Sequence, residues 1–214
     1  MSEYYLTKEN IVLIANGKFP THKKPLEIIK KNKYIICCDG AANLLIKFGR
    51  NPNVIIGDMD SIDYKLRTAE NIEKIIHMPE QNNNDFRKAL CWISQNINLN
   101  KLFILGATGL REDHTLGNLA TFLYQKFNFK IEIATDTGNF HVINSSKTID
   151  SFKGQCVSIF SINPKQRITT KGLKYELNNS TMDNLYSGTL NISNNNQISI
   201  ETNSKEPLLI YCTY

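Results

Sequence analysis

Val54-Ile55-Ile56-Gly57-Asp58-Met59-Asp60-Ser61 joins a short, β-branched apolar run to two carboxylates one residue apart. The run reads as a strand buried on both faces, and the glycine and acids as the loop that ends it. Two ionised carboxylates this close repel, and each raises the pKa of the other. A divalent cation removes the conflict, because hard Mg2+ is held by carboxylate oxygens and shares them with substrate phosphates. Taken alone, the segment equally describes an acidic turn opening a helix, with Asp58 or Ser61 as N-cap.

The flanking sequence supports the strand. Continuous apolar runs recur at Ile11–Ala15, Tyr34–Cys38, Lys74–Ile76, Leu102–Leu105 and Ile131–Ala134, with longer segments between them. In Phe86–Ile97, Phe86, Ala89, Leu90, Ile93 and Ile97 recur at helical spacing. This alternation predicts an open, mostly parallel, Rossmann-like α/β sheet with helices on both faces over residues 1–145. After about residue 150 the runs become short, partly alternating and separated by Asn, Gly and Pro: Val157–Ile162, Leu173–Leu177, Thr189–Ser193, Gln197–Thr202 and Leu208–Tyr214. They predict an antiparallel, β-sandwich-like domain over 150–214, with the Ser- and Lys-rich Asn144–Gly154 as the junction.

At 214 residues the chain can bury a substantial core. A net charge of +5 suits an anionic substrate but is too small to argue for nucleic acid. Lys18, Lys23, Lys24, Lys30, Lys31 and Lys33 form a local basic cluster, read as a solvated face. The 5 cysteines show no Cys-x-x-Cys spacing, and Cys37, Cys38 and Cys91 lie in apolar stretches, so buried free thiols in a reducing compartment are expected. Met1-Ser2-Glu3-Tyr4-Tyr5 has no basic-then-apolar pattern, and no run approaches membrane-spanning length. A soluble cytoplasmic protein with no membrane partner is the expectation.

Ligands of such sheets bind beyond the carboxyl ends of the strands. Here those ends carry Asp39-Gly40-Ala41-Ala42-Asn43, then Gly57-Asp58-Met59-Asp60-Ser61, then Gly106-Ala107-Thr108-Gly109 followed by Arg111-Glu112-Asp113-His114, then Thr135-Asp136-Thr137-Gly138. In Gln81-Asn82-Asn83-Asn84-Asp85-Phe86-Arg87-Lys88, an Asn cap puts Asp85 in the first helical turn, with Lys88 on the same face. An acid for metal and a lysine for phosphate suit phosphoryl transfer; they are equally a surface i,i+3 ion pair. Glycines at 106 and 109 let backbone amides approach phosphate, and Arg111 offers a bidentate clamp. His114 reads as an acid or base, or as a hydrogen-bonder at a helix start. No Gly-x-x-x-x-Gly-Lys-Ser/Thr is present, which excludes a P-loop.

Taken in order, these motifs resemble the thiamine pyrophosphokinase family: Asp39-Gly40-Ala41-Ala42-Asn43, Ile56-Gly57-Asp58-Met59-Asp60-Ser61, Asp85-Phe86-x-Lys88-Ala89-Leu90 and Gly106-Ala107-x-Gly109-x-Arg111-x-Asp113-His114-Thr115-Leu116-x-Asn118. Gly172-Leu173-Lys174-Tyr175-x-Leu177 and Ser193-Asn194 continue the match. The resemblance implies Mg2+-dependent transfer of pyrophosphate from ATP to thiamine, in a homodimer with active sites between subunits. It implies Asp58, Asp60 and Asp85 as metal acids, with Lys88 and Arg111 completing the catalytic set. It further implies Gln81, Asp113, His114, Tyr175, Ser193 and Asn194 as substrate contacts, and Asp39, Gly40, Asn43, Ser61, Gly106 and Thr108 around the nucleotide.

The chain departs from the family pattern at Asn82, where Asp is usual, at Arg87, where Thr is common, at Tyr175, where Trp is common, and at Leu110, a frequent Gly. Tyrosine still offers a ring to a cation. The rivals are a pyrophosphokinase for another alcohol such as a hydroxymethyl pterin, a haloacid-dehalogenase-type phosphatase, and a non-catalytic thiamine or nucleotide sensor. The phosphatase wants Thr or Val two residues beyond the second Asp, where this chain has Ile62.

Overall fold

The computed structural model describes residues 6–63, 72–80 and 82–214; Gln81 lies outside them. The chain divides into two compact units, one comprising residues up to Leu119 with Phe127–Asp136, the other Ala120–Lys126 with Thr137–Tyr214.

The first unit contains β1 (Leu6–Ile14), α1 (Lys23–Lys31), β2 (Ile35–Cys38), α2 (Ala41–Lys47), β3 (Val54–Gly57), β4 (Lys74–His77), α3 (Asp85–Asn96), β5 (Ile97–Leu105), the start of α4 (Glu112–Tyr124) and β6 (Lys130–Ala134). Its strands lie in the order β6-β5-β1-β2-β3-β4, all parallel. Ile11, Val12, Leu13 and Ile14 of β1 are fully buried. Each such side chain stabilises by about 1.5–3 kcal/mol, and it is burial on both faces that makes the run continuous. On one face Ile29 of α1 and Ala41 and Leu45 of α2 meet Val12, Ile14, Ile35, Cys37 and Ile55. Alternation turns Leu13, Ile36 and Ile56 the other way, and α3 packs against β2, β3 and β5. β4 differs from its neighbours: it ends the strand order, and Lys74 and His77 are exposed.

The chain winds from β1 out to β4, then returns to place β5 on the opposite side of β1. The winding direction therefore reverses between β1 and β5. In such sheets a ligand enters beyond the carboxyl ends of the strands at this reversal, and the loops after β1 and β5 line a cleft there.

The second unit holds β7 (Gly138–Ile143), β8 (Lys147–Asp150), β9 (Cys156–Phe160), β10 (Ile168–Lys171), β11 (Asn191–Ile192), β12 (Gln197–Thr202) and β13 (Leu208–Thr213). Antiparallel β11-β9-β13-β7 and β10-β12-β8 enclose one core, in which Ile159 and Ile210 meet Ile149, Ile168 and Ile198.

Several expectations shift. The division falls at Asp136–Thr137, ahead of Asn144–Gly154, because β7 pairs with β13, and the expected junction itself contains β8. Leu173–Leu177 is not a strand; the strand is β10, ended by Gly172 at φ 88°. A Cβ on Gly172 would lie 2.6 Å from the Gln197 carbonyl, so the turn there needs glycine. Cys37 and Cys38 are buried, but Cys91 is exposed, on the α3 face away from Phe86, Leu90 and Ile93. All six clustered lysines are exposed, as a solvated face requires. Among the described residues no helix is long and apolar enough to cross a membrane.

Candidate active site

Three acids from three elements converge at the carboxyl end of the sheet. Asp39, Asp58 and Asp85 each present a carboxylate oxygen, all within 4.8 Å of one another. Asp39 follows β2, and its φ of 20° lies at the edge of the left-handed region, a conformation that costs free energy. Its Oδ2 accepts from the Ser61 backbone N–H at 2.9 Å, while its Oδ1 is buried with no hydrogen-bond partner. Burial pushes the Asp39 carboxyl up from its ordinary range; the Ser61 N–H opposes this, and the Asp85 and Asp58 charges add to it. Asp58 follows β3, where Met59 takes φ 67° and the Asp60 N–H donates to Asp58 Oδ1 at 3.2 Å.

Asp85 opens α3 as expected: Asn84 is the N-cap, its side chain accepting from Arg87 N at 3.0 Å. Lys88 is no surface residue. Its side chain is 6% exposed, and its Nζ donates to Asp85 Oδ1 at 3.1 Å and to the Met78 carbonyl at 2.8 Å. It thereby holds Asp85 in orientation.

Gly57 lets the acids close in, because it has no side chain to hold them apart. A Cβ there would stand 2.8 Å from Asp39 Cβ and 3.2 Å from Asp85 Cγ. The donor set fits a hard divalent cation: all ligands are carboxylate oxygens, among the described residues a single cation, Lys88 on Asp85, is paired with the three acids, and Asp39 Oδ1 lacks a partner. Asp60 is exposed and stands outside the trio, its place taken by Asp39, which the sequence reading had put with the nucleotide.

Asp85 also lines a cleft of about 280 Å³ at the β1/β5 switch point. Its walls include Asn16, Gly17, Cys38, Thr108, Arg111 and His114. Backbone builds it: Ala15 N donates to Leu105 O at 2.8 Å, Gly17 N to Gly106 O at 2.7 Å and Lys18 N to Thr108 O at 2.9 Å, carrying strand pairing past the strand ends. A Cβ on Gly17 would stand 2.2 Å from Gly106 O, so no other residue fits. Asn16-Gly17 went unmarked in the sequence; its signal was an Asn-Gly pair directly after the first buried strand. Burial holds the Cys38 thiol well above its ordinary range, so it serves as wall rather than nucleophile.

Arg111 is exposed and forks onto Asp113, with Nε–Oδ1 3.1 Å and Nη2–Oδ2 2.6 Å. That hydrogen bonding holds the Asp113 carboxyl down at about 2. Among the other predicted nucleotide residues, Asn43 braces the loop after β3, donating to Ser61 O at 2.8 Å and accepting from Asp63 N at 3.0 Å. Gly40 lets Asn16 and Ser61 close over it, with a built Cβ 2.9 Å from Asn16 Nδ2.

Tyr175, Ser193 and Asn194 belong to the second unit. Tyr175 is 60% exposed, with Lys174 Nζ 5.2 Å from its ring centroid. Asn191, unmarked by the sequence reading, holds the Tyr175 backbone from both sides at 3.1 and 2.7 Å. Ser193 is fully buried, its Oγ donating to Asn195 O at 2.9 Å, and Asn194 N donates to Gly172 O at 2.8 Å.

Comparison with known proteins identifies the family. Relatives include "Thiamin pyrophosphokinase 1" of Caenorhabditis elegans, 26% identical over 72% of this chain and 68% of its own length. "Thiamine pyrophosphokinase 1" of Oryza sativa subsp. japonica is 28% identical over 86% of this chain and 78% of its own. Among solved structures, thiamin pyrophosphokinase from Candida albicans superposes with a TM-score of 0.80 at 18% identity, covering 100% of this chain and 93% of that one. The Bacillus subtilis enzyme gives 0.77 at 22% identity, over 96% and 99%. The family model "Thiamin pyrophosphokinase, catalytic domain" matches residues 26–135, and "Thiamin pyrophosphokinase, substrate-binding domain" matches residues 138–211. With both of the family's domains matched in order, the chain belongs to the thiamin pyrophosphokinase family.

Proposed function

We propose that this chain is a thiamine diphosphokinase, transferring the pyrophosphoryl group of ATP to the primary hydroxyl of thiamine and releasing AMP. The observation that carries this reading is the convergence of Asp39, Asp58 and Asp85 beside the switch-point cleft, with Asp85 common to both. The thiamine hydroxyl oxygen bonds to the β-phosphorus as the bond from that phosphorus to the bridging oxygen breaks; AMP leaves with that oxygen, and the hydroxyl proton passes to a carboxylate.

Asp39, Asp58 and Asp85 would hold Mg2+, which when bound draws charge off the phosphoryl oxygens. Lys88 fixes Asp85, so that this ligand does not swing away. Arg111 exchanges Asp113 for phosphate, a bidentate partner of the same geometry. The backbone at Gly17 and Gly106–Gly109 shapes the wall against which the triphosphate lies. Tyr175 offers its exposed ring to the cationic thiazolium. We further propose a homodimer in which the second unit of one subunit completes the thiamine site of the other. The cysteines are all free, which suits the cytoplasm as its location.

Incubating the protein with ATP, Mg2+ and thiamine tests the reading: AMP and thiamine diphosphate are expected in equal amounts. ADP would refute pyrophosphoryl transfer. AMP formed with a hydroxymethyl pterin but not thiamine would refute the acceptor, and free phosphate without acceptor would indicate a phosphatase.

A further inference from the structure

Asn118, on the second turn of α4, is 6% exposed and lines the cleft. A buried primary amide is costly unless both its ends find partners. Here the partners come from two other elements. Asn118 Nδ2 donates to the Ala107 carbonyl at 2.9 Å, in the loop after β5. Asn118 Oδ1 accepts from Asn84 Nδ2 at 3.1 Å. Asn84 is at the same time the N-cap of α3, and the next residue is Asp85.

One amide thus joins the three segments that bring chemistry to the cleft: the loop carrying Ala107 and Thr108, the start of α4 after Arg111, and the start of α3 with Asp85. We propose that Asn118 is a positioning residue that sets the spacing between Asp85 on one wall and Arg111 on the other, acting through Asn84. The job needs a donor at one end and an acceptor at the other. Aspartate would set a carboxylate oxygen against the Ala107 carbonyl, and leucine, of similar shape, would leave both partners unpaired. The kinetic part of the inference rests on the pyrophosphoryl-transfer reading.

The test uses Asn118→Leu, Asn84→Ser and the double variant in the full chain. Serine keeps the cap on α3 but is too short to reach Asn118, so Asn84→Ser breaks the link while preserving the helix start. Displacing a catalytic group by about 1 Å costs up to about a hundredfold in rate. Accordingly kcat is expected to fall about tenfold to a hundredfold in each single variant, with the KM for ATP moving less than about threefold. The double variant should be no slower than the slower single, because both break the same link. Backbone hydrogen exchange provides a readout independent of turnover: Asn84→Ser, a change on α3, should speed exchange in residues 107–118.

A kcat unchanged in Asn84→Ser, losses that multiply in the double variant, or faster exchange confined to residues 84–88 would each overturn the proposal. A wild-type protein that makes no AMP would refute the assigned reaction instead, and the exchange experiment would still decide the link.

Discussion

Gly57→Ala separates the geometry of the acid cluster from its chemistry, because it adds one methyl group and removes no charge. The built Cβ stands 2.8 Å from Asp39 Cβ, 3.2 Å from Asp85 Cγ and 3.3 Å from Asp85 Oδ2. Carbon atoms rest at about 3.5–4.0 Å, so Asp39 or the strand end must retreat by roughly 0.7 Å or more. Gly57 is not among the residues with positive φ, so alanine suits its backbone. Alanine in a strand gains about 0.5–1 kcal/mol over glycine, whereas overpacking costs about 1–3 kcal/mol. The net loss of stability is therefore about 1 kcal/mol, or a fall in Tm of about 2–4 °C for a chain of this size. The rate is hit harder. A shift near 1 Å costs up to about a hundredfold, equivalent to about 2.7 kcal/mol of barrier. AMP formation at saturating ATP and thiamine, measured across a Mg2+ titration, should show kcat down about 30- to 100-fold and half-saturation at higher Mg2+. A folded Gly57→Ala protein with kcat within threefold of wild type and an unchanged Mg2+ requirement would refute the trio as the metal site.

Asp39→Asn should raise the Tm of the metal-free protein at neutral pH while lowering kcat at least tenfold, since it relieves a buried, repelled charge that function needs. The sign follows from its raised folded pKa: the metal-free protein loses stability as pH climbs from the ordinary carboxyl value through the folded one, and the variant should lack that loss. A lower Tm for the variant at neutral pH would refute this. Asp136, after β6, works in the opposite direction. Burial acts to raise its carboxyl, but bonds from His22 N at 2.9 Å and from Thr21 N and Oγ1 at 2.7 Å, with Lys18 at 3.2 Å, outweigh it and hold the group below its ordinary range. Its stabilisation is present above the ordinary value and lost as pH falls, so Asp136→Asn should cost Tm at neutral pH and progressively less in acid. An equal deficit at both ends of a pH series of melts would refute that assignment.

Local rules carried much of the architecture. The apolar runs at residues 11–15, 34–38 and 54–56 became parallel strands because burial on both faces leaves no room for polar alternation. The Asn cap before Asp85 was legible because capping involves only the next few residues. Local rules failed where partners came from afar. Leu173–Leu177 had the composition of a strand, but the glycine before it turns the chain against Gln197. Asp39 looked like one more polar residue at a strand end, and its place in the acid cluster depends on Asp58 and Asp85 closing around it.

By itself, then, the sequence determined that a parallel sheet precedes an antiparallel domain, that acids and glycines gather at the carboxyl ends of its strands, and which family their order resembles. Periodicity and short motifs are properties of neighbouring residues, so they survive in a one-dimensional record. Only the tertiary structure decided which acids meet. It placed Asp39 rather than Asp60 with Asp58 and Asp85, buried Lys88 against Asp85, and ran Asn118 between two walls of the cleft. Helical spacing had already put Lys88 on the face of Asp85, but the meeting of the three acids is set by strand order and by where a side chain is missing, above all at Gly57, and spacing along the chain encodes neither.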